Sequence, residues 1–69
     1  MTQAEAIQTV KMQIAARPGA VLLSETEAEA VGTAPARHLI LCELPDPKGG
    51  KLRVSFGITP DGKLTRSVL

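Results

Sequence analysis

Residues 51–65 read KLRVSFGITPDGKLT, and this stretch determines the predicted fold. The apolar residues Leu52, Val54, Phe56 and Ile58 alternate with Lys51, Arg53, Ser55 and Gly57. Such alternation is typical of a strand with one buried face. Pro60-Asp61-Gly62 then supplies turn chemistry, because proline presets the first corner and glycine accepts a positive φ at the last. The stretch therefore predicts a hairpin in which residues 51–58 pair with residues 63–69.

The same stretch has the spacing of a phosphate-binding loop, with Gly57, four intervening residues, and then Gly62-Lys63. A loop of that kind enters a helix whose N-terminus faces the phosphates, and a Ser or Thr after the lysine holds magnesium. Here Leu64 follows the lysine, and the residues after it alternate like a strand. The spacing is better explained as a turn than as a nucleotide site.

Upstream of the hairpin, residues 37–44 (RHLILCEL) are predicted to form a strand that is apolar on both faces. Leu39 and Leu41 lie on one face, and Ile40, Cys42 and Leu44 lie on the other. Residues 45–50 (PDPKGG) read as a loop, with prolines that cannot donate to a sheet ladder. A strand with two apolar faces needs cover on both, so we expect a partner subunit or another protein on the face that a helix leaves open.

Two interpretations are open for residues 20–31. As a strand, residues 20–24 and 25–31 place Leu22, Ser24, Thr26, Ala28 and Ala30 on one face, with three alternate glutamates, Glu25, Glu27 and Glu29, on the other. As a short helix, Ser24 is the N-cap, Glu27 is its capping partner and Gly32 is the stop. The alternate glutamates favour the strand, which a turn at residues 32–36 follows.

The N-terminal residues predict an amphipathic helix. Thr2 and Glu5 have the spacing of a capping box, and Pro18-Gly19 ends the helical pattern. The apolar positions Ala6, Ile7, Val10, Ile14 and Ala15 recur at spacings of three and four. The predicted fold class is α+β, a single domain over residues 1–69 with one N-terminal helix packed on a three- to four-stranded antiparallel β-meander.

Size and composition predict a homodimer. The chain has 69 residues, one aromatic residue, Phe56, and one cysteine, Cys42, so neither a large ring nor an internal disulfide stabilises its small core. Residues 1–36 carry a net charge of −2 and residues 37–69 carry +3. The sequence has no run of about 18 apolar residues and no signal-peptide pattern. We therefore expect no membrane partner and a cytoplasmic location, with export only if a signal peptide was removed.

No catalytic, cofactor-binding or metal-binding residue is predicted. His38 and Cys42 are four residues apart on one strand, which separates them by roughly 13 Å, too far to share a metal or act as a thiolate pair. Three carboxylates on alternate strand positions diverge, so the glutamate row favours a solvated face over a cation site.

Several of these segments together resemble the PepSY module. The alanine-rich helix from Glu5-Ala6 to Ala15-Ala16, the Arg17-Pro18-Gly19-Ala20 segment that ends it, and the closing KLRVSFGITPDGKL stretch are similar to that family's pattern. The resemblance implies a module that binds and restrains other proteins, peptidases among them. It assigns no catalytic residue.

The leading functional hypothesis is a non-enzymatic interaction module, an inhibitor or accessory subunit, that binds another protein through an exposed sheet face or an edge strand. The predicted partner-binding residues are Arg37, Leu39, Leu41, Arg53, Lys63 and Arg66, and all but Lys63 are expected on the sheet face opposite the helix.

Two alternatives are open. A dimer of ketosteroid-isomerase-like or cystatin-like type could enclose a small-ligand pocket or weak enzyme site, with Ser24, Thr26 and Cys42 as its only inward-facing polar groups. Nucleic acid could instead bind the basic hairpin residues Lys48, Lys51, Arg53, Lys63 and Arg66, although the sheet lacks the aromatic residues that stack on bases.

Overall fold

The computed structural model describes residues 2–69 and contains one helix and one four-stranded antiparallel sheet. The elements are α1 (Gln3–Ala16), β1 (Val21–Ala28), β2 (Arg37–Pro45), β3 (Lys51–Ile58) and β4 (Leu64–Val68). The strands lie in the order β1-β2-β3-β4, so each pairs with its neighbour in the chain. This is the predicted α+β meander with an N-terminal helix.

The capping box at the start of α1 is confirmed. The Glu5 amide donates to Thr2 Oγ1 at 3.2 Å, and the Thr2 amide donates to Glu5 Oε1 at 3.1 Å. At the other end, the Ala20 amide donates to the Arg17 carbonyl at 3.2 Å, and Gly19 has a φ of 80°. Proline followed by a positive-φ glycine is the pattern of a type II turn, which directs the chain from α1 into β1.

The two turns that flank β3 share one construction. The Gly49 amide donates to the Asp46 carbonyl, and the Gly62 amide donates to the Thr59 carbonyl, each at 2.9 Å. In both turns a proline follows the first residue, and the fourth residue is a glycine with positive φ. Tight turns of this kind fix the register of the strands they join.

Strand β2 continues one residue beyond its predicted end and includes Pro45, which pairs with Lys51. The Asp46 amide bonds to the Gly50 carbonyl, and hydrogen-bonded pairs alternate along an antiparallel ladder. Pro45 therefore occupies a non-hydrogen-bonded position facing β3, where its missing N–H costs no ladder bond.

The core lies between α1 and one face of the sheet. Its buried residues are Ala6, Val10 and Ile14 from the helix, with Ile40, Cys42, Leu44, Val54 and Ile58 from β2 and β3. The helix covers this face alone, so the opposite face of the sheet has no cover within residues 2–69, as the apolar pattern of β2 predicted. We call it the open face.

Strand β1 is a strand and not a helix, but it differs from the prediction in two respects. It spans Val21–Ala28 rather than residues 20–31, and a bulge interrupts its pairing with β2 between Leu22 and Ser24. The extra residue at a bulge reverses the faces of the residues that follow. Leu22, opposite Cys42, therefore faces the helix, whereas Ser24, opposite Leu41, lies on the open face.

Candidate protein-interaction surface

Four of the predicted partner-binding residues, Arg37, Leu39, Leu41 and Arg53, lie on the open face. Directly paired residues share a face, and β2 presents its buried residues to the helix at alternate positions. The two leucines are half-buried at the centre of the open face. Hydroxyl side chains surround them, at Ser24, Thr26, Ser55, Thr65 and Ser67.

The charged residues at one end of the open face are already paired. Glu43 lies 3.6 Å from the Nε of Arg53 and 3.7 Å from the Nζ of Lys51. At the other end, Arg37 extends over Gly57, and a Cβ placed on that glycine would lie 3.1 Å from Arg37 Cδ. The open face therefore carries two leucines, small hydroxyl groups, an internally paired Arg53 and, at its other end, Arg37.

The expected position of Arg66 on the open face is wrong. Arg66 pairs with Phe56 and borders a groove together with Val10 and Ile14, so it lies on the helix side of the sheet. Lys63 ends the β3–β4 turn, where its amide donates to Thr59 Oγ1 at 3.1 Å. The six predicted residues thus occupy the open face, the helix side and a turn, and no single surface contains them all.

Strand β4 is one edge of the sheet, and no strand among residues 2–69 lies on its outer side. The Leu69 amide bonds to the Arg53 carbonyl, and the Thr59 amide bonds to the Lys63 carbonyl. By the alternation of an antiparallel ladder, Thr65 and Ser67 direct their backbone groups to β3. Leu64, Arg66 and Val68 direct theirs outward. All five side chains of β4 are exposed, and the strand contains no bulge or proline.

The opposite edge, β1, differs from β4. Its bulge breaks the regular ladder, and its second half carries Glu25 and Glu27. Bulges and charged side chains are the features by which natural edge strands avoid pairing with other chains. Of the two edges, β4 therefore has the more regular ladder.

The glutamates of β1 form a charged cluster with His38 and Lys11. His38 Nε2 donates to Glu25 Oε1 at 3.2 Å, its Nδ1 donates to Glu27, and Lys11 Nζ lies 3.2 Å from Glu25 Oε2. Two carboxylate acceptors require both ring nitrogens to carry protons. The hydrogen bond to Glu27 raises the pKa of His38 above its usual 6.5, although burial opposes the rise. The hydrogen bond from His38 lowers the pKa of Glu25.

The sequence-based interpretation missed this cluster because it treated the glutamates as a solvated row. The signal that could have revealed it is the antiparallel register of β1 on β2, which places Glu27 opposite His38. The cluster ties β1 to β2 and to α1.

Two grooves flank α1. The larger, about 470 Å³, lies beside β1 and is lined mainly by apolar residues, among them Met12, Ala15 and Leu22. Its one charged group, Lys11, already pairs with Glu25. The smaller, about 170 Å³, is lined by apolar residues of α1, β2 and β3, among them Phe56, and by the exposed Arg17 and Arg66.

The residues expected to face inward around an enclosed pocket do not do so together. Ser24 and Thr26 lie on the open face, opposite Leu41 and Leu39, because the β1 bulge reverses them. Cys42 is fully buried, and its thiol donates to the Val54 carbonyl at 3.6 Å. Burial raises the pKa of this thiol, which disfavours a thiolate nucleophile.

The basic residues considered for nucleic-acid binding are dispersed. Lys48 lies in the β2–β3 turn and Lys63 in the β3–β4 turn, at opposite ends of β3, about 25 Å apart by the rise of an eight-residue strand. Among residues 2–69 no group of three or more His, Cys, Asp or Glu side chains could hold a metal ion. The helix that the structure describes is too short and too polar to cross a membrane.

Comparisons with known proteins assign no family to this chain. No family model, no curated protein and no solved structure matches it, so the resemblance to the PepSY module stays a prediction.

Proposed function

We propose that this chain is a non-enzymatic interaction module that binds an extended segment of another protein as a fifth strand beside β4. The observation that carries the proposal is the outward-directed N–H and C=O groups of Leu64, Arg66 and Val68, which no strand among residues 2–69 satisfies. Strand addition uses such groups for affinity and alternate side chains for specificity.

The geometry of β4 supports this mode over binding on the open face. Each added backbone hydrogen bond contributes about 0.5–1.5 kcal/mol, and three residues of β4 offer both a donor and an acceptor. Leu64 and Val68, 52% and 56% exposed, flank Arg66 on the helix side and provide apolar contact for a partner. The open face offers two half-buried leucines and small hydroxyl side chains, and the backbone groups of β2 and β3 beneath them are engaged in the sheet ladder.

A proline substitution that removes one outward N–H group tests the proposal. Val68→Pro removes an N–H that points away from β3, so the intrachain ladder loses no bond, while the proline ring blocks an incoming strand. Val68→Thr is the matched control, because it keeps the N–H and the β-branched shape. Random twelve-residue peptides displayed on phage would be selected against the wild-type protein, and the selected peptides titrated by NMR.

We expect the amide signals of Leu64, Arg66 and Val68 to shift on binding and to become protected from exchange. Val68→Pro should weaken binding about tenfold, the loss expected from roughly one or two ladder bonds, and Val68→Thr should retain it. Any of three results would refute strand addition at β4. The selected peptides could contact only the open face, they could bind Val68→Pro as tightly as wild type, or the selection could yield no binding peptide.

A further inference from the structure

Two arginines border the smaller groove, which lies between α1 and the helix side of the sheet. Arg66 lies at the middle of β4, and Arg17, at the end of α1, borders the same groove. Phe56 and Leu44 form the apolar part of this groove, and the side chain of Arg66 is exposed. The groove therefore combines an apolar lining with two exposed positive charges.

Neither of these arginines contacts a carboxylate among residues 2–69, although most of the acidic side chains have partners. Glu25 and Glu27 bind His38, and Glu43 pairs with Lys51 and Arg53. Three other acidic side chains, Glu5, Asp46 and Asp61, accept local hydrogen bonds in a helix cap and two turns. The positive charges of Arg17 and Arg66 are therefore not paired with an acidic side chain among residues 2–69.

Strand alternation determines which partner residue would meet this charge. A strand added beside β4 places alternate side chains on the helix side, directly opposite Leu64, Arg66 and Val68. Cβ atoms of directly opposed residues lie about 4.5–5.5 Å apart, within reach of an arginine–carboxylate contact. Apolar residues two positions on either side of the carboxylate would contact Leu64 and Val68.

Building on the strand addition proposed above, we infer that β4 selects an acidic extended segment, with Asp or Glu opposite Arg66 and apolar residues at the two flanking alternate positions. The ligand class is thus an acidic peptide segment of another protein.

A second copy of this chain fits the edge less well. The antiparallel register that pairs all five residues of β4 with a second β4 places Arg66 opposite its own counterpart, and directly opposed like charges are destabilising. The β1 edge of a second copy is acidic, but its bulge interrupts the ladder and its glutamates already bind His38 and Lys11.

The test uses the peptide Thr-Val-Thr-Glu-Thr-Val-Thr, acetylated and amidated, which reads the same in both directions and so presents its Glu to Arg66 in either strand orientation. Two matched peptides carry Gln or Lys in place of Glu. Each is titrated to millimolar concentration into isotope-labelled wild-type protein, Arg66→Gln and Arg66→Glu. Lys63→Gln, which loses one charge at the neighbouring turn, is the control for net charge.

We expect the Glu peptide to bind wild-type protein about three- to five-fold more tightly than the Gln peptide, the range expected of one solvent-accessible ion pair. Arg66→Gln should abolish this advantage, Lys63→Gln should retain most of it, and Arg66→Glu should prefer the Lys peptide. Added salt should reduce the advantage.

The outcomes separate the two proposals. If all three peptides shift the amides of Leu64, Arg66 and Val68 with equal affinity, the acidic preference is wrong and strand addition stands. If the Glu preference is as large in Arg66→Gln as in wild type, the assignment to Arg66 is wrong. If no peptide shifts these amides at millimolar concentration, strand addition at β4 is overturned, and the inference with it.

Discussion

Gly57 is the position at which one added methyl group should report most directly on the packing of β4. A Cβ built there would lie 2.9 Å from Thr65 Oγ1 and 3.1 Å from Arg37 Cδ, on the open face. The first distance is shorter than carbon–oxygen packing permits, and threonine is stiff at χ1, so β4 must shift to admit the methyl group. Arg37 is a long side chain and can move away at little cost.

The expected change in the free energy of unfolding for Gly57→Ala is the sum of two opposed effects. Overpacking at a tight site costs about 1–3 kcal/mol, and the reduced freedom of the unfolded chain returns about 0.4–1 kcal/mol. Gly57 has no positive φ, so alanine introduces no backbone strain. We expect Gly57→Ala to lower the free energy of unfolding by about 1 kcal/mol, which reduces Tm by about 4–8 °C in a domain of this size.

A double-mutant cycle with Thr65→Ala isolates the contact. Thr65→Ala removes the Oγ1 that the methyl group would meet, along with its hydrogen bond to the Gly57 carbonyl at 3.3 Å. In that background Gly57→Ala should be neutral or stabilising, which gives a coupling energy of about 1–2 kcal/mol. Thermal unfolding followed by circular dichroism measures all four proteins. Equal destabilisation by Gly57→Ala in both backgrounds would show that the close approach of β4 to β3 is not as described.

Two further predictions concern the helix cap and the charged cluster. Thr2→Ala should reduce the free energy of unfolding by about 1 kcal/mol through loss of the capping box, whereas Thr9→Ala, the same change within α1, should be close to neutral in urea unfolding. His38 has a raised pKa in the folded protein, so its contribution to stability is complete below pH 6.5 and disappears as pH rises through the raised value. Glu25 has a lowered pKa, so its contribution is present above pH 4.5 and disappears as pH falls through the lowered value. The Tm difference between wild type and His38→Gln should therefore be largest between pH 4.5 and 6.5, and a difference independent of pH would contradict the pairing.

The elements defined by local signals were predictable from the sequence. The capping box at Thr2 and Glu5, the alternation of β3 and the Pro60-Asp61-Gly62 turn each depend on residues close together in the chain, and the structure contains all three. The choice of strand over helix for β1 also followed from its alternate glutamates. These features determined the fold class, because a meander joins only consecutive elements.

The faces of β1 were not predictable, because they depend on a bulge with no local signal. Alternation places Leu22 and Ser24 on one face, and the extra residue between them separates the two. Arg66 is a different case. The Thr59–Lys63 pair sets the β3–β4 register, so counting outward from that turn places Arg66 opposite Phe56 on the helix side. The turn is predictable from the sequence, but the face on which Arg66 lies also depends on which turn residues pair.

If β4 accepts a partner strand, the difference between the two sheet edges explains why copies of this chain would not also join edge to edge. A basic β4 edge and an acidic β1 edge on the same chain could pair head to tail, and such a heterologous contact continues into an open filament. The bulge between Leu22 and Ser24 breaks the β1 ladder, and His38 and Lys11 occupy its glutamates. Under the proposed strand addition, these features of β1 would let β4 accept an acidic partner strand without also accepting the edge of another copy. On that proposal, the bulge and the charged cluster of β1 protect one edge of the sheet from other copies, and Arg66 marks the edge that binds a partner.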